Sequence, residues 1–164
     1  MATLEPGKRL VIHRETVDPS WIDYNGHMNV AYYLLGFDHA VDAMFEFVGL
    51  TDAYRREHNV STFALEYHIC YLQEVGRDDP LRFEIQLIDL SDKHFHFINM
   101  MYHDSEDYLA CTAEAISMHM DMSARRGAPM RPEIHDAFEA IRQAHKDIPL
   151  PAQVGRNIGI RRKG

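Results

Sequence analysis

Several signatures that usually reveal a function are missing from this 164-residue chain. No apolar run approaches the ~20 residues that a helix needs to cross a bilayer, and residues 1–10 lack the apolar segment of a secretory signal. There is no Gly-x-Ser-x-Gly elbow to frame a nucleophilic serine, and no Gly-x-Gly-x-x-Gly or phosphate loop. We therefore expect no membrane partner, and neither a serine hydrolase nor a nucleotide-binding protein.

Cysteine is also scarce. The two cysteines, Cys70 and Cys111, lie inside apolar segments that resemble strands, and their spacing fits no metal motif. Such cysteines are typical of buried thiols in a reducing compartment. We therefore expect a cytoplasmic protein.

The charge and the histidines exclude two further classes. A net charge of −8 argues against bulk nucleic-acid binding. Eleven histidines suggest a metal, and His94 and His96 project from one face of a predicted strand. However, no third ligand is evident beside them and no His-Glu-x-x-His occurs. We expect no metal site and no nucleic-acid partner.

The length of the chain suits one domain that buries about 70% of its unfolded surface. Its most prominent feature is a long apolar helix that begins near residue 30. Asn29 is a good N-cap, and Gly49 stands where a left-handed C-terminal cap would fall. We expect this helix to be largely buried. The large apolar residues recur in steps of three and four, at Val30, Tyr33, Leu34, Phe37, Val41, Met44, Phe45 and Val48.

Strand patterns surround this helix. A first strand is predicted at 8–17, and four alternating segments follow at 62–75, 81–90, 94–103 and 108–122. Their hairpin-length connections predict an antiparallel sheet. In the 62–75 segment, strict alternation would place Phe63, Leu65, Tyr67, Ile69 and Tyr71 on one face.

A C-terminal helix is predicted from Pro132, with a tail to residue 164. The whole chain, 1–164, is therefore predicted to be one α+β domain, with a core at about 8–122. In it, an antiparallel sheet wraps around one long central helix.

The turn before the long helix combines three chemically useful side chains. Asp23, Asn25 and His27 surround an Asn-Gly turn at the helix start. A helix start presents free N–H groups and a partial positive charge, which can hold a carbonyl oxygen as it becomes an oxyanion. The same residue types also make ordinary turns and caps. Spacing alone therefore leaves a catalytic and a structural interpretation open.

The turn and the order of the elements together resemble the hotdog-fold acyl-CoA thioesterases of the 4-hydroxybenzoyl-CoA thioesterase type. The resemblance covers about residues 10–122, and the string Asp-x-Asn-Gly-His-x-Asn before the helix is its most specific part. It is also carried by Val17-Asp18-Pro19, Tyr32-Tyr33, Phe37, the strand from Glu66-Tyr67 to Tyr71-Leu72, and Cys111-Thr112-Ala113-Glu114. More narrowly, the chain looks like the short thioesterases of carnitine degradation, which act on betainyl-CoA.

The resemblance implies roles for these residues. Asp23 would act as a general base on water or as the nucleophile, Asn25 would orient the carboxylate or the water, and His27 would match the imidazole of plant acyl-carrier-protein thioesterases. The backbone N–H groups of Met28, Asn29 and Val30 would form the oxyanion site. The family also implies an acyl-CoA substrate, no cofactor, and a homodimer or homotetramer with the acyl site between subunits.

The substrate residues are less specific. Aromatic faces attract quaternary ammonium groups, which suits a trimethylammonium acyl group, although the aromatics also suit an aryl pocket or plain core packing. The aromatic candidates are Trp21, Tyr24, Tyr33, Tyr67 and Tyr71. CoA phosphates need basic partners. The candidates are Arg125 and Arg126, with Lys93 and Arg77 weaker. All four are also consistent with ordinary solvated charges in loops.

Two alternatives remain open. Hotdog enoyl-CoA hydratases carry an Asp and a His in the string Asp-x-Asn-Pro-x-His. Here His27 follows Asn25 by two residues instead of three and no proline intervenes, which disfavours that chemistry. In a non-catalytic acyl-CoA binding protein, Asp23 and Asn25 would only shape the turn and cap the helix.

Overall fold

The computed structural model describes residues 2–160. A short 3-10 turn at Pro19–Trp21 precedes the long helix. None of the helices within the described range combines the length and the hydropathy needed to cross a bilayer. The elements are, in chain order, β1 (Leu10–Thr16), α1 (Val30–Phe47), α2 (Asp52–His58), β2 (Val60–Tyr71), β3 (Pro80–Leu90), β4 (His94–His103), β5 (Leu109–Asp121), β6 (Arg126–Gly127) and α3 (Pro132–His145).

The strands form one curled antiparallel sheet. Its order is β1-β3-β4-β5-β2, and the short β6 pairs with the end of β5. This confirms the prediction of an α+β domain with an antiparallel sheet. Among the residues that the structure describes, β2 pairs only with β5, so one long side of β2 is an edge.

Helix α1 begins and extends as its sequence predicts. The Asn29 side chain accepts a hydrogen bond from the Ala31 N–H, at 3.0 Å, and the helix then runs for 18 residues. Two small residues on its buried face, Gly36 and Ala40, let it approach the sheet closely. A Cβ atom at Gly36 would lie only 2.9 Å from the Phe83 ring. The helix contacts β1, β4 and β5.

The expectation of a largely buried helix is wrong for part of its apolar face. Val30 is 60% exposed and Leu34 is 41% exposed in the single chain. The reason is that this chain's sheet packs on one side of α1, where Tyr33, Phe37, Val41, Met44 and Phe45 are buried. The start of the helix therefore presents apolar side chains to its surroundings.

The predicted single apolar face of β2 is also wrong. The pairing with β5 shifts by one residue between Ala64 and Glu66, which marks a bulge at Leu65. After the bulge Tyr67 pairs with Ala115, but before it Phe63 pairs with Met118. Ala115 and Met118 lie on opposite faces of β5, since successive side chains alternate. Phe63 therefore faces away from Tyr67, and Leu65 is half exposed.

The C-terminal helix packs against the sheet through a buried aromatic core. Phe138 stacks on Phe95 with ring centroids 4.8 Å apart. At the end of α3, the buried His145 accepts a hydrogen bond at Nδ1 from the Leu87 N–H, at 3.0 Å. Burial, assisted by the nearby positive charge of Arg9, lowers the pKa of His145 to about 4. The last turn of α3 is thus fixed to β3 by a neutral imidazole.

Candidate active site

The turn before α1 is a tight hairpin held by backbone hydrogen bonds. The Asp23 N–H donates to the His27 carbonyl, and the Gly26 N–H donates to the Asp23 carbonyl, both at 3.0 Å. Gly26 has φ +85°, a backbone conformation that residues other than glycine rarely adopt. Ile22 and Met28 close the hairpin as an antiparallel bridge. The hairpin places Asp23 beside the first turn of α1.

The Asp23 carboxylate is held by one of its two oxygens. Oδ1 accepts a hydrogen bond from the backbone N–H of Asn25, at 2.8 Å. Within residues 2–160, Oδ2 has no hydrogen-bond donor, and the side chain is partly exposed. It is the Asn25 backbone, rather than its side-chain amide, that orients the carboxylate in the single chain. One oxygen thus remains free to meet a water or an acyl carbon.

His27 contacts a residue that the sequence reading did not include. Its Nε2 lies 2.6 Å from Oε2 of Glu74, just beyond the end of β2. The neighbouring Val75 carbonyl accepts a hydrogen bond from the Met28 N–H, at 2.9 Å, which joins this segment to the hairpin. No spacing signal links positions 27 and 74, so this pair is visible only in the fold.

The N–H groups at the helix start are not equivalent. The Met28 N–H donates to Val75, and the Asn29 N–H donates to the Trp21 carbonyl, also at 2.9 Å. Val30 is the first residue of α1, so its N–H has no intrahelical acceptor, and it has none elsewhere in the described chain. Of the three N–H groups named from the sequence, Val30 alone is therefore available to an oxyanion.

These groups line a cleft of about 290 Å³ between the start of α1 and the end of β2. The lining residues are Asp23, Asn25, His27, Met28, Val30, Tyr33, Tyr71, Leu72, Gln73 and Glu74. The cleft excludes Trp21, which stacks on Tyr32 at a centroid distance of 5.5 Å, and Tyr24, which is 96% exposed. Asn29 and Tyr67 do not line it either.

Two tyrosines form one wall of the cleft. The rings of Tyr33 and Tyr71 meet edge to face at 5.2 Å, and the Tyr71 hydroxyl donates to the Val30 carbonyl at 3.2 Å. Burial raises the pKa of Tyr33 to about 12, and burial also raises the pKa of Tyr71. These phenols are neutral near pH 7. They can therefore offer π faces to a ligand, but they are not bases.

The predicted phosphate-binding arginines lie far from the cleft within one chain. Tyr71, at the cleft, pairs with Cys111, whereas Arg126 pairs with Asp121 at the other end of β5. Ten residues of strand span roughly 33 Å.

Lys93 also lies away from the cleft. It occupies the β3–β4 turn, where its carbonyl accepts the His119 N–H at 2.8 Å. Arg77, the other weaker candidate, follows Val75 by two residues, and the Val75 carbonyl is bonded to Met28 of the hairpin.

Comparison with known proteins gives the family of the chain. Residues 17–138 match the family described as the thioesterase-like superfamily. The chain is also 33% identical to a betainyl-CoA thioesterase of Pseudomonas aeruginosa strain PAO1 over 151 residues, which cover 92% of this chain and 95% of that protein. The chain belongs to the thioesterase-like superfamily, and the sequence-based prediction of a thioesterase is confirmed.

Two further relatives extend the comparison. An L-carnitine dehydrogenase/betainyl-CoA thioesterase of Rhizobium meliloti is 30% identical over 89% of this chain, which corresponds to 29% of that longer protein. Among solved structures, a hypothetical protein of Staphylococcus aureus in complex with CoA has a TM-score of 0.88 and 25% identity. That alignment covers 93% of this chain and 97% of the other.

Proposed function

We propose that this chain hydrolyses a small acyl-CoA to the free acid and CoA, and that betainyl-CoA is its substrate. The observation that carries the proposal is the pairing, in one cleft, of a half-free Asp23 carboxylate with the unpaired Val30 N–H. A thioester needs such a pair and no metal, because its carbonyl is a good electrophile and a thiolate leaves readily.

The proposed reaction has two steps. Asp23 removes a proton from a water that attacks the acyl carbon. The carbonyl oxygen becomes an oxyanion, which accepts a hydrogen bond from the Val30 N–H. The C–S bond then breaks, CoA leaves as thiolate, and the proton held by Asp23 reaches the sulfur. General-base catalysis contributes about 10²–10⁴-fold and one oxyanion donor about 10²–10³-fold. Direct attack by the Asp23 carboxylate on the acyl carbon is the second route to the same products.

The other polar groups of the cleft take supporting roles in this proposal. The Asn25 side chain, exposed at the cleft, orients the attacking water. The His27–Glu74 pair joins the helix-start side of the cleft to the β2 side.

A trimethylammonium acyl group suits this cleft for two reasons. The Tyr33 and Tyr71 rings meet there as neutral π faces, and a cation gains about 0.5–2 kcal/mol against each such face. The cleft also contains the carboxylate of Glu74, which is opposite in charge to the ligand. Similarity to named betainyl-CoA thioesterases supports the same choice, and the name of the Rhizobium meliloti relative, which joins this activity to an L-carnitine dehydrogenase, supports a role in carnitine degradation.

We also propose that two chains pair through the β2 edges. Phe63 is 38% exposed and Leu65 is 50% exposed along that strand, and the uncovered Val30 and Leu34 lie on the adjoining helix. Exposed apolar side chains beside an unpaired strand edge favour association with a second copy. In the pair, the uncovered face of α1 would be buried, which would make α1 the central helix of the hotdog arrangement.

Such pairing would also bring the predicted arginines to the cleft. In an antiparallel β2–β2 pair, the Tyr71 end of one strand lies beside the Val60 end of the other. Val60 pairs with Asp121, which in turn pairs with Arg126. Arg125 and Arg126 of a second copy would then face the CoA bound at the first. The free thiols of Cys70 and Cys111 suit a reducing, cytoplasmic setting for this enzyme.

A thiol-release assay tests the proposal, with three CoA esters presented separately. Betainyl-CoA and 3,3-dimethylbutyryl-CoA have the same shape and differ only in the charge of the quaternary centre, and crotonyl-CoA is a substrate for a hydratase. We expect stoichiometric thiol from betainyl-CoA, with kcat/KM about 2–30-fold above the neutral ester, which corresponds to 0.5–2 kcal/mol. Faster hydrolysis of the neutral ester would overturn the choice of acyl group.

The same assay separates the alternative functions. Loss of enone absorbance from crotonyl-CoA without thiol would identify a hydratase. Binding of all three esters without either reaction would identify a non-catalytic acyl-CoA binding protein.

A further inference from the structure

A second cluster of chemically active side chains lies between β1 and α1, and the proposed hydrolysis does not use it. It consists of His13, Glu15 and His39, called here the His-Glu-His cluster. Nδ1 of His39 lies 2.8 Å from Oε2 of Glu15, and Nε2 of His13 lies 3.5 Å from the same oxygen. One donor atom from each residue falls within 4.8 Å of the other two. None of these side chains lines the cleft that contains Asp23.

The fold builds this cluster from three separate positions. His13 and Glu15 are two residues apart on β1, so their side chains project from the same face of the strand. His39 lies on α1, one turn after Gly36, and so shares a face with it. A Cβ atom at position 36 would lie 2.9 Å from Oε1 of Glu15. The glycine therefore gives the carboxylate its room between strand and helix.

The cluster holds buried polar atoms that its own contacts do not satisfy. The side chain of Glu15 is 15% exposed and that of His13 is 27% exposed. Oε1 of Glu15 and Nε2 of His13 are both buried, and neither makes a hydrogen bond within the described part of the chain. No lysine or arginine forms an ion pair with Glu15 in residues 2–160. A buried carboxylate with unsatisfied neighbours is a site where a cation lowers the energy.

We propose that the His-Glu-His cluster binds one Zn²⁺ or a similar divalent transition-metal ion. Two imidazole nitrogens and one carboxylate oxygen form a donor set that such ions prefer. With bonds of about 2.0–2.2 Å, tetrahedral coordination separates ligand atoms by about 3.3 Å. The 3.5 Å separation of His13 and Glu15 already meets this, and the His39 contact needs to open by about half an ångström. A water completes the coordination on the side where His39 is 38% exposed.

The bound ion would fasten α1 to β1, which lies at the edge of the sheet opposite β2. It would also satisfy the buried Nε2 of His13, which would donate a lone pair to the metal, and it would balance the negative charge of the Glu15 carboxylate. The sequence-based expectation of no metal considered neighbouring histidines on one strand. This cluster instead joins residues 13, 15 and 39 from two different elements.

Zinc binding by the untagged full chain tests the proposal. After removal of metal with a chelator, titration calorimetry with ZnCl₂ alone should show one site per chain. We expect the single variants His13→Gln, Glu15→Gln and His39→Gln each to weaken binding by more than about 100-fold, since loss of even an outer-shell partner weakens metal binding 10–100-fold. Co²⁺ in place of Zn²⁺ should give visible absorbance bands of a low-coordinate ion, and these should disappear in the same variants.

The control variant is His96→Gln. His96 also lies on a strand and also contacts a glutamate, with Nε2 2.8 Å from Oε1 of Glu114, but it belongs to no three-residue cluster in the described chain. It should keep full zinc binding. Circular dichroism in chelator shows whether each variant folds without metal, so that lost binding is assigned to lost ligands. Absence of a stoichiometric site in the wild type, equal binding in all variants, or loss of binding in His96→Gln would each overturn the proposal.

Discussion

The imidazole of His27 and the carboxylate of Glu74 meet at 2.6 Å, and their contact joins the helix-start side of the cleft to the β2 side. Within residues 2–160, Asp23 therefore has no imidazole bonded to it. A catalytic carboxylate without a histidine partner must itself accept the proton or attack the thioester. We therefore assign the chemical step to Asp23 and a supporting role to the His27–Glu74 pair, and kinetic measurements can test this assignment.

The His27–Glu74 pair should behave as one unit that supports binding. Both side chains are substantially exposed, and such pairs contribute up to about 1 kcal/mol, or roughly fivefold. We expect His27→Gln and Glu74→Gln each to lower kcat/KM by less than about tenfold, and the double variant to be no worse than either, as for coupled residues. Steady-state kinetics on all four proteins measures the cycle. A 10³-fold loss in His27→Gln with a silent Glu74→Gln would instead assign catalysis to the imidazole.

The oxyanion contact can be removed by a single proline. Val30 is the first residue of α1, where proline is well tolerated, and Asn29 already has an extended backbone that suits a following proline. Val30→Pro should therefore keep the fold and lose only the N–H. We expect kcat to fall about 10²–10³-fold. Val30→Ala, which keeps the N–H, is the matched control and should stay near wild type. A folded Val30→Pro enzyme with normal turnover would contradict the assignment.

The proposed subunit pairing should fail when a charge is placed on the β2 edge. Leu65 is half exposed at the bulge, and Leu65→Lys would bring two like charges together in an antiparallel pair. We expect light scattering to show half the wild-type mass, and activity to fall with it. Leu150→Lys, at a similarly exposed leucine in the tail, should leave the mass unchanged. A Leu65→Lys protein of wild-type mass, or a fully active monomer, would rule this interface out.

Stability should fall in acid because of His145. Its pKa is about 4 in the folded protein against 6.5 for an ordinary histidine, so the unfolded chain binds the proton more readily. The contribution to stability is complete above about pH 6.5 and is lost progressively down to about pH 4, where the loss reaches on the order of 3 kcal/mol.

His145→Asn keeps a hydrogen-bond acceptor without a group that titrates in this range. Denaturant unfolding at several pH values should show a flatter profile for this variant than for the wild type. Parallel profiles for the two proteins would show that His145 does not cause the acid effect.

Much of the architecture could be predicted from local sequence patterns. The cap at Asn29, the proline at the start of α3 and the hairpin-length turns are local signals, and the structure confirms each of them. The errors were non-local. The bulge at Leu65 changes which side chains share a face, and the exposure of Val30 depends on which elements reach the helix start. Alternation and periodicity carry no information about either.

The candidate site shows the same contrast between local and non-local signals. The hairpin from Asp23 to Met28 is one short segment, so its sequence was enough to bring its side chains to the helix start. Glu74 joined them through the backbone bond between Met28 and Val75, which spans distant parts of the chain. The availability of the three candidate N–H groups was likewise decided by acceptors elsewhere, since Val75 and Trp21 take up two of them.

The most direct measurement is the rate of thiol release from betainyl-CoA by Asp23→Asn, compared with wild type and with Asp78→Asn. Asp78 is an exposed carboxylate in the turn after β2, with positive φ that asparagine tolerates. We predict wild-type turnover for Asp78→Asn and a loss of about 10²–10⁴-fold for a folded Asp23→Asn. Near-normal turnover by Asp23→Asn would contradict the assignment of this carboxylate as the group that splits the thioester.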